Sequence, residues 1–112
     1  MKDETMIAPV GEPTFAYLIV RKGDRPGAAY QLRPDITNIG RSGESHIRID
    51  DELVSEQHAR VRSEEKGKQF LLSDLDSTNG TKVNGQRLEG KHVLEDNDEI
   101  EMGGTVLVFK QV

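Results

Sequence analysis

Ser55, His58 and Asp74 are the three residue types of a nucleophile, base and orienting acid, so hydrolysis is the first chemistry to weigh. The chain has no G-x-S-x-G elbow to raise a serine hydroxyl out of a strand-to-helix turn, and Ser and His three apart ordinarily reflect something simpler. No catalytic residue is assigned, and the chain is not read as an enzyme. Nucleotide chemistry fails on similar grounds. Residues 85–91 (GQRLEGK) match the first seven positions of a P-loop, but His92 stands where a Ser or Thr hydroxyl must meet magnesium, and no long helical pattern follows. Asp74, Asp76 and Thr78 open like a calcium loop, yet Gly80 comes one place late and Gly85 stands where the bidentate glutamate belongs. His46, His58 and His92 show no metal-ligand spacing, and a chain without cysteine has no thiolate zinc site, cysteine nucleophile or disulfide. No metal and no cofactor is expected. Asn79-Gly80-Thr81 is a formal glycosylation sequon that carries no weight without a secretory signal.

Four pieces remain, in order: Gly40-Arg41, Ser55-x-x-His58, the run from Asp74 through Ser77, Thr78, Asn79 and Gly80 to Thr81, and Val83-Asn84-Gly85. Singly they are ordinary, since an arginine at a strand end is usually a solvated charge and S-T-N-G is usually a turn. Together they offer a bidentate guanidinium, small hydroxyls, amides and the backbone N–H groups of glycine-containing turns, which is the donor set a phosphate wants.

Such a set must be held at the ends of several strands. From Phe15 onward the sequence reads as short apolar bursts divided by turn residues: FAYLIVRK, AAYQL, TNIGR, HIRI, HARVRS, QFLLSDL, TKVNG, QRL, HVL, DEIEM and TVLVFKQV. That texture predicts an all-β sandwich or barrel. Asn84-Gly85 predicts a type I′ hairpin turn with positive φ at both positions, and Gly103-Gly104 breaks DEIEM from TVLVF in the same way. In the last burst Val106, Val108 and Lys110 alternate with Leu107 and Phe109, the pattern of a half-buried strand. Residues 50–66 are ambiguous: the composition suits a helix, whereas Ala59 and Val61 alternate with His58, Arg60 and Arg62 as a strand would. Residues 1–14, with Pro9, Gly11 and Pro13, read as a flexible lead-in, and residues 15–112 as one domain.

Composition narrows the partners. The 112 residues are 34% hydrophobic, enough for one modest core, and carry a net charge of −5 from 15 basic and 20 acidic residues. An acidic chain poor in aromatics lacks the basic surface that general nucleic-acid binding or an anionic membrane requires, although one local site can still grip one phosphate. The longest apolar run, residues 15–20, cannot span a bilayer. The opening MKDETM places acids where a secretory signal needs a basic start, so a cytoplasmic location is expected.

The order and spacing of Gly40-Arg41, Ser55-Glu-Gln-His58, DLDSTNGTKVNG and the late LEDNDEIEMGG segment resemble the forkhead-associated (FHA) family over roughly residues 15–112. The resemblance implies an eleven-stranded β-sandwich of two sheets with binding loops at one end, which reads phosphothreonine in partner proteins. It also implies loop over residues 50–57 and a strand from His58. On this chain Arg41 and Ser55 would hold the phosphate oxygens. Thr78 would lie beside the phosphate and the threonine methyl, and Asn79 would bond the peptide backbone. Gly40 would permit close backbone approach and His58 would brace the loop carrying Ser55, while Gly80, Asn84 and Gly85 would shape turns. The implied partner is a phosphothreonine-containing protein or peptide, a Ser/Thr kinase or its substrate, met by a monomer. The alternative is a scaffold of the same fold that binds a partner or itself without phosphate.

The chain departs from the family at Glu56, where a basic or amide side chain often helps the phosphate; an acid there repels the ligand or must point away. Residues 41–57 hold Arg41 and Arg48 against Glu44, Asp50, Asp51, Glu52 and Glu56. Leu53 lies near where the family selects the third residue after the phosphothreonine, and suggests an apolar choice. Thr5, if phosphorylated, would let the lead-in fold back onto Arg41. The acidity predicts that a phosphothreonine peptide with neutral or basic flanks binds more tightly at low salt than its acid-flanked twin, with the difference shrinking as salt rises. Titration of the two peptides at two ionic strengths checks this, and tighter binding of the acidic peptide contradicts it.

Overall fold

A computed structural model describes residues 15–112; the expected lead-in over residues 1–14 and Thr5 within it fall outside the described residues. In chain order the strands are β1 (Ala16–Lys22), β2 (Ala29–Gln31), β3 (Ile36–Gly40), β4 (Ile47–Arg48), β5 (Ala59–Glu64), β6 (Gln69–Asp74), β7 (Lys82–Val83), β8 (Gln86–Arg87), β9 (Lys91–Val93), β10 (Glu99–Met102) and β11 (Thr105–Gln111). The only helical turn among the described residues is a 3-10 turn, Glu65–Gly67. Residues 50–58 are loop, so the helical option for residues 50–66 fails, and the strand that follows begins at Ala59, one residue after His58. The β-branched and alternating residues of the segment decide the matter once a partner sheet buries Ala59 and Val61.

The strands form two sheets, one in the order β2-β1-β11-β10-β7-β8 and the other β4-β3-β5-β6-β9. Alternation puts Leu18, Ile100, Met102, Leu107 and Phe109 of the first against Ile39, Ile47, Val61, Phe70 and Leu72 of the second, all buried. Phe70 and Phe109 meet across this core with ring centroids 5.7 Å apart, tilted by 56°. Removing such side chains from water is the main favourable contribution to the fold.

The antiparallel registers matter most for function. Ala59, at the start of β5, pairs with Ile39 near the end of β3 and with Asp74 at the end of β6. The loops after β3, before β5 and after β6 therefore leave the sandwich at the same end. The turn after β10 joins them, because β10 runs antiparallel to β7, with Glu101 opposite Lys82.

The turns follow their local chemistry with one exception. Asn84 and Gly85 take φ of 51° and 84°, the double positive φ of a type I′ turn. At the β10–β11 turn only Gly103 has positive φ (59°), so this hairpin has the sign pattern of a type II′ turn and not the expected I′. Its neighbours explain the tightness, since a Cβ on Gly103 would lie 3.0 Å from both the Asp51 carboxylate and Leu53 Cβ.

The turn before β10 is held by Asp98, whose carboxylate accepts the Glu95 N–H (2.8 Å), the Asn84 side-chain amide (2.9 Å) and His92 Nε2 (2.8 Å). Burial pushes this carboxyl up, and the bonds from Glu95, His92 and Asn84 outweigh it, leaving the pKa below its ordinary 3.8. A depressed pKa contributes stability that is present above the unfolded value and lost as pH falls through the folded one. Stability should therefore be level above about pH 5 and fall below about pH 4, with a shallower fall in Asp98→Asn. Urea unfolding between pH 2.5 and 7 measures both slopes; an unchanged slope in the variant contradicts the assignment.

Candidate functional site

The geometry at the loop end starts from glycine. Gly40 closes β3, and a Cβ there would sit 2.2 Å from the carbonyl oxygen of Glu56, so only glycine lets the segment before β5 cross so closely. The crossing is zipped by the N–H of Arg41 to Ser55 O (2.9 Å) and the N–H of Ser42 to Glu56 O (3.1 Å). It places the Arg41 side chain beside the chain at Val54, where Nε donates to the Val54 carbonyl at 2.9 Å. That bond orients the guanidinium and leaves its two terminal nitrogens for other partners.

His58, fully buried, ties the second loop to the third. The N–H of Ser55 donates to Nδ1 at 3.0 Å, and Nε2 meets the carbonyl of Gly80 at 2.9 Å. A backbone N–H can only donate and a carbonyl can only accept, so the ring carries its hydrogen on Nε2. The hydroxyl oxygen of Ser55 accepts the N–H of Thr78 (3.0 Å), which leaves its own hydrogen to donate elsewhere. Asn79 donates its side-chain amide to Leu53 O (2.9 Å), a second strut between the same two loops.

The third loop has its own internal staple. Asp74 accepts the hydroxyl of Thr81 (2.6 Å) and both the hydroxyl (2.7 Å) and N–H (2.8 Å) of Ser77, while the Ser77 oxygen accepts the N–H of Gly80 (2.9 Å). Burial pushes the Asp74 carboxyl up, and the bonds from Thr81 and Ser77 more than offset it, so the pKa is lowered. Asp51 plays the same part between loops. It accepts the N–H of Leu53 (2.9 Å), the N–H of Gly104 (2.8 Å) and the hydroxyl of Thr105 (3.0 Å), and its pKa is lowered although burial opposes this.

Arg41, Ser55, Thr78 and Asn79 are thus brought into one linked set of loops, with Gly40, His58 and Gly80 behind them. Val83-Asn84-Gly85 does not join them: among the described residues the side-chain bonds of Asn84 go to Asp98 and Glu99, at the other end of β7 from the loops. The triad of Ser55, His58 and Asp74, set aside from the sequence, has no hydrolase geometry here. His58 Nε2 is directed to Gly80 O, with the Asp74 carboxylate 4.0 Å away, and its Nδ1 takes a backbone N–H and not a serine hydroxyl. Among the described residues, no group of three or more His, Asp or Glu side chains gathers to hold a metal ion.

Two features escape sequence reasoning. Arg87, on β8, lays its guanidinium over Gly80, where a Cβ would lie 3.0 Å from Nη1. Glu56 neither repels from a distance nor points away: its Oε2 lies 3.4 Å from Arg41 Nη1, with both side chains partly exposed. No spacing rule signals either contact. Beside Asn79 an open groove of about 230 Å³ runs between Leu53, Gly80, Lys82, Glu101 and Gly103.

The family model described as FHA domain matches residues 37–103, the span from β3 to the β10–β11 turn. The chain belongs to the FHA domain family. It is 38% identical over 97 residues to the glycogen accumulation regulator GarA of Mycobacterium tuberculosis, covering 87% of this chain and 58% of that protein. It is 39% identical over 94 residues to the oxoglutarate dehydrogenase inhibitor of Corynebacterium glutamicum, covering 84% and 64% respectively. The chain thus spans about three-fifths of the length of these curated relatives. Among solved structures it is similar to an FHA domain studied for phosphothreonine-dependent interactions (TM-score 0.79, 35% identity, covering 87% of this chain and 96% of that one). It is also similar to Mycobacterium tuberculosis EmbR in complex with a low-affinity phosphopeptide (TM-score 0.79, 29% identity, covering 92% and 26%).

Because His58 holds Ser55 and Gly80 at once, His58→Ala strands a part-buried N–H and a buried carbonyl and opens a cavity. The expected cost is about 2–5 kcal/mol in denaturant unfolding. Amide shift changes in NMR spectra should concentrate at residues 53–56 and 78–81; changes spread evenly over the sandwich would contradict the bracing role.

Proposed function

We propose that residues 15–112 form a module that reads phosphothreonine in a partner protein. The observation that carries this reading is the pairing of Arg41 and Ser55 on adjoining loops. The Arg41 guanidinium is aimed by its bond to Val54 O, and the Ser55 hydroxyl oxygen is already occupied by the Thr78 N–H. A phosphate between them would take charge-assisted bonds from the arginine and a bond from the serine hydroxyl. The donors are preset, so little ordering cost falls on binding. Exposed Thr78 would flank the phosphate and the threonine methyl. Asn79, with one amide hydrogen spent on Leu53, keeps its carbonyl oxygen for a peptide N–H.

The peptide beyond the phosphothreonine would run along the groove beside Asn79, where Leu53, 56% exposed, offers an apolar wall. The partner class is a phosphorylated protein, a Ser/Thr kinase or its substrate, met in the cytoplasm by a monomeric domain. Support comes from the EmbR complex with a phosphopeptide and from the FhaA FHA domain, solved in complex with the intracellular domain of another protein. The names of the curated relatives, a regulator and an inhibitor, fit a part in control and not in catalysis. A second reading, binding without phosphate, has one observation in its favour: Arg41 is already paired with Glu56.

Each hydrogen bond to a charged group contributes about 1.5–3 kcal/mol, so Arg41→Ala should weaken a phosphothreonine peptide by about tenfold to more than a hundredfold. Ser55→Ala should cost about tenfold, and phosphoserine should bind less tightly than phosphothreonine by the worth of one methyl, roughly 1 kcal/mol. Calorimetric titration of a degenerate phosphothreonine library checks these values. Equal binding of phosphorylated and unphosphorylated peptides would sink the reading in favour of the phosphate-free one, and unaltered binding by Arg41→Ala would sink the site.

A further inference from the structure

Among the described residues, Glu56 is the acid whose carboxylate lies on the phosphate-reading arginine. Its backbone cannot retreat: the carbonyl accepts the Ser42 N–H at 3.1 Å and lies against Gly40 where even one Cβ would collide. Arg41 cannot retreat either, being held at its N–H by Ser55 O, at Nε by Val54 O and at its own carbonyl by Arg48 Nε (3.2 Å). Two fixed backbones thus deliver one carboxylate to one guanidinium at 3.4 Å. The pair itself is loose, with side-chain exposures of 39% and 63%, so it is weak and its carboxylate is free to swing into water.

We propose that Glu56 is a resident competitor for Arg41, so that ligand binding is an exchange of one anion for another. This rests on the phosphate reading of the site. A phosphate with about −1.5 to −2 charge outbids a single carboxylate, but it does so against the lost pair and against the repulsion of a displaced acid still tethered nearby. Glu56 thereby sets affinity low and makes it adjustable by one side chain. Exchange also has a salt signature. Salt weakens the phosphate–arginine attraction and, equally, the Glu56–Arg41 pair and the residual repulsion that oppose it. Binding to the wild type should therefore fall less steeply with salt than binding to a variant without the carboxylate.

The test compares wild type, Glu56→Gln, Glu52→Gln and the double variant Arg41→Ala/Glu56→Gln against Arg41→Ala, using a phosphothreonine peptide at low and high salt. Glu52 is exposed and contributes the same net charge from the same loop, and no hydrogen bond or ion pair joins it to Arg41, so it reports general acidity. Glu56→Gln should bind about three- to tenfold more tightly at low salt with a steeper salt dependence, and Glu52→Gln should change affinity by less than about twofold. The gain should vanish in the Arg41→Ala background. A Glu56→Gln variant no tighter than wild type, or matched by Glu52→Gln, overturns the proposal while leaving the phosphate reading intact. If no protein in the series binds phosphopeptide, the reading of the module as a phosphothreonine-peptide binder fails, and only anion exchange at Arg41 is left to test. Inorganic phosphate titrated against the Arg41 side-chain nitrogen signal then decides: response at lower concentration in Glu56→Gln supports the competitor, and an equal or absent response overturns it.

Discussion

One imidazole holds the loop end of this sandwich together. His58 lies where β5 begins and takes a backbone donor from one loop and a backbone acceptor from another, so two segments more than twenty residues apart share a single rigid part. The ring is fully buried, and either bond left unmade would strand a polar group away from water. Ser55 and the Thr78–Gly80 turn cannot drift independently while that ring stays in place. The Thr78–Ser55 and Asn79–Leu53 bonds depend on it, because both cross the gap that His58 spans.

Aspartates do for the remaining loops what apolar packing does for the sheets. Asp74, Asp51 and Asp98 each accept three bonds at a turn, and each titrates below the ordinary range because these bonds exceed the cost of burial. Val54 anchors its loop in the core, but the loops bury little other apolar area near the site, so short charge-assisted bonds to N–H and hydroxyl groups do much of the holding. The acidity of the chain acquires a structural meaning here. Asp51 counts as one of five acids near Arg41, yet its carboxylate is spent on Leu53, Gly104 and Thr105 and is not simply a repulsive surface charge. Glu56 is the acid that acts on the arginine directly.

The same few residues therefore carry construction and, in the proposed function, recognition. Gly40 is needed so that the backbone at Glu56 can pass, and that passage brings the Glu56 carboxylate to the guanidinium it accompanies. The contact is a consequence of the crossing, which makes it hard to lose by drift of the loop and easy to lose by one substitution. Arg87 shows the converse, an arginine from the edge strand β8 brought over Gly80 by a hairpin whose Asn-Gly turn lies at the other end of β7 from the loops.

The strand pattern, the hairpin at Asn84-Gly85, and the ordered set of Arg41, Ser55, His58 and Thr78 were legible in the linear chain. Alternation with period two and glycine-bearing turns are local properties, and they already specify β-strands and where the chain must reverse. Resemblance then supplied two sheets, a loop at residues 50–57 and the roles proposed for the site residues. Other things were not legible. Residues 50–66 satisfied helix and strand equally until a neighbouring sheet buried Ala59 and Val61. The β10–β11 turn took its type from its contact with Asp51 and Leu53, which lie some fifty residues earlier. Asn84 shapes its turn as its sequence suggests, but that its side chain serves Asp98 and Glu99, away from the loops, was not legible. The pairing of Glu56 with Arg41 depends on a clearance of one Cβ at Gly40, and no one-dimensional pattern encodes a clearance. Sequence by itself determined which groups were available and on what kind of element each would stand. Tertiary structure alone decided which of them touch, because contact between strand ends is set by the register of sheets whose partners lie far apart along the chain.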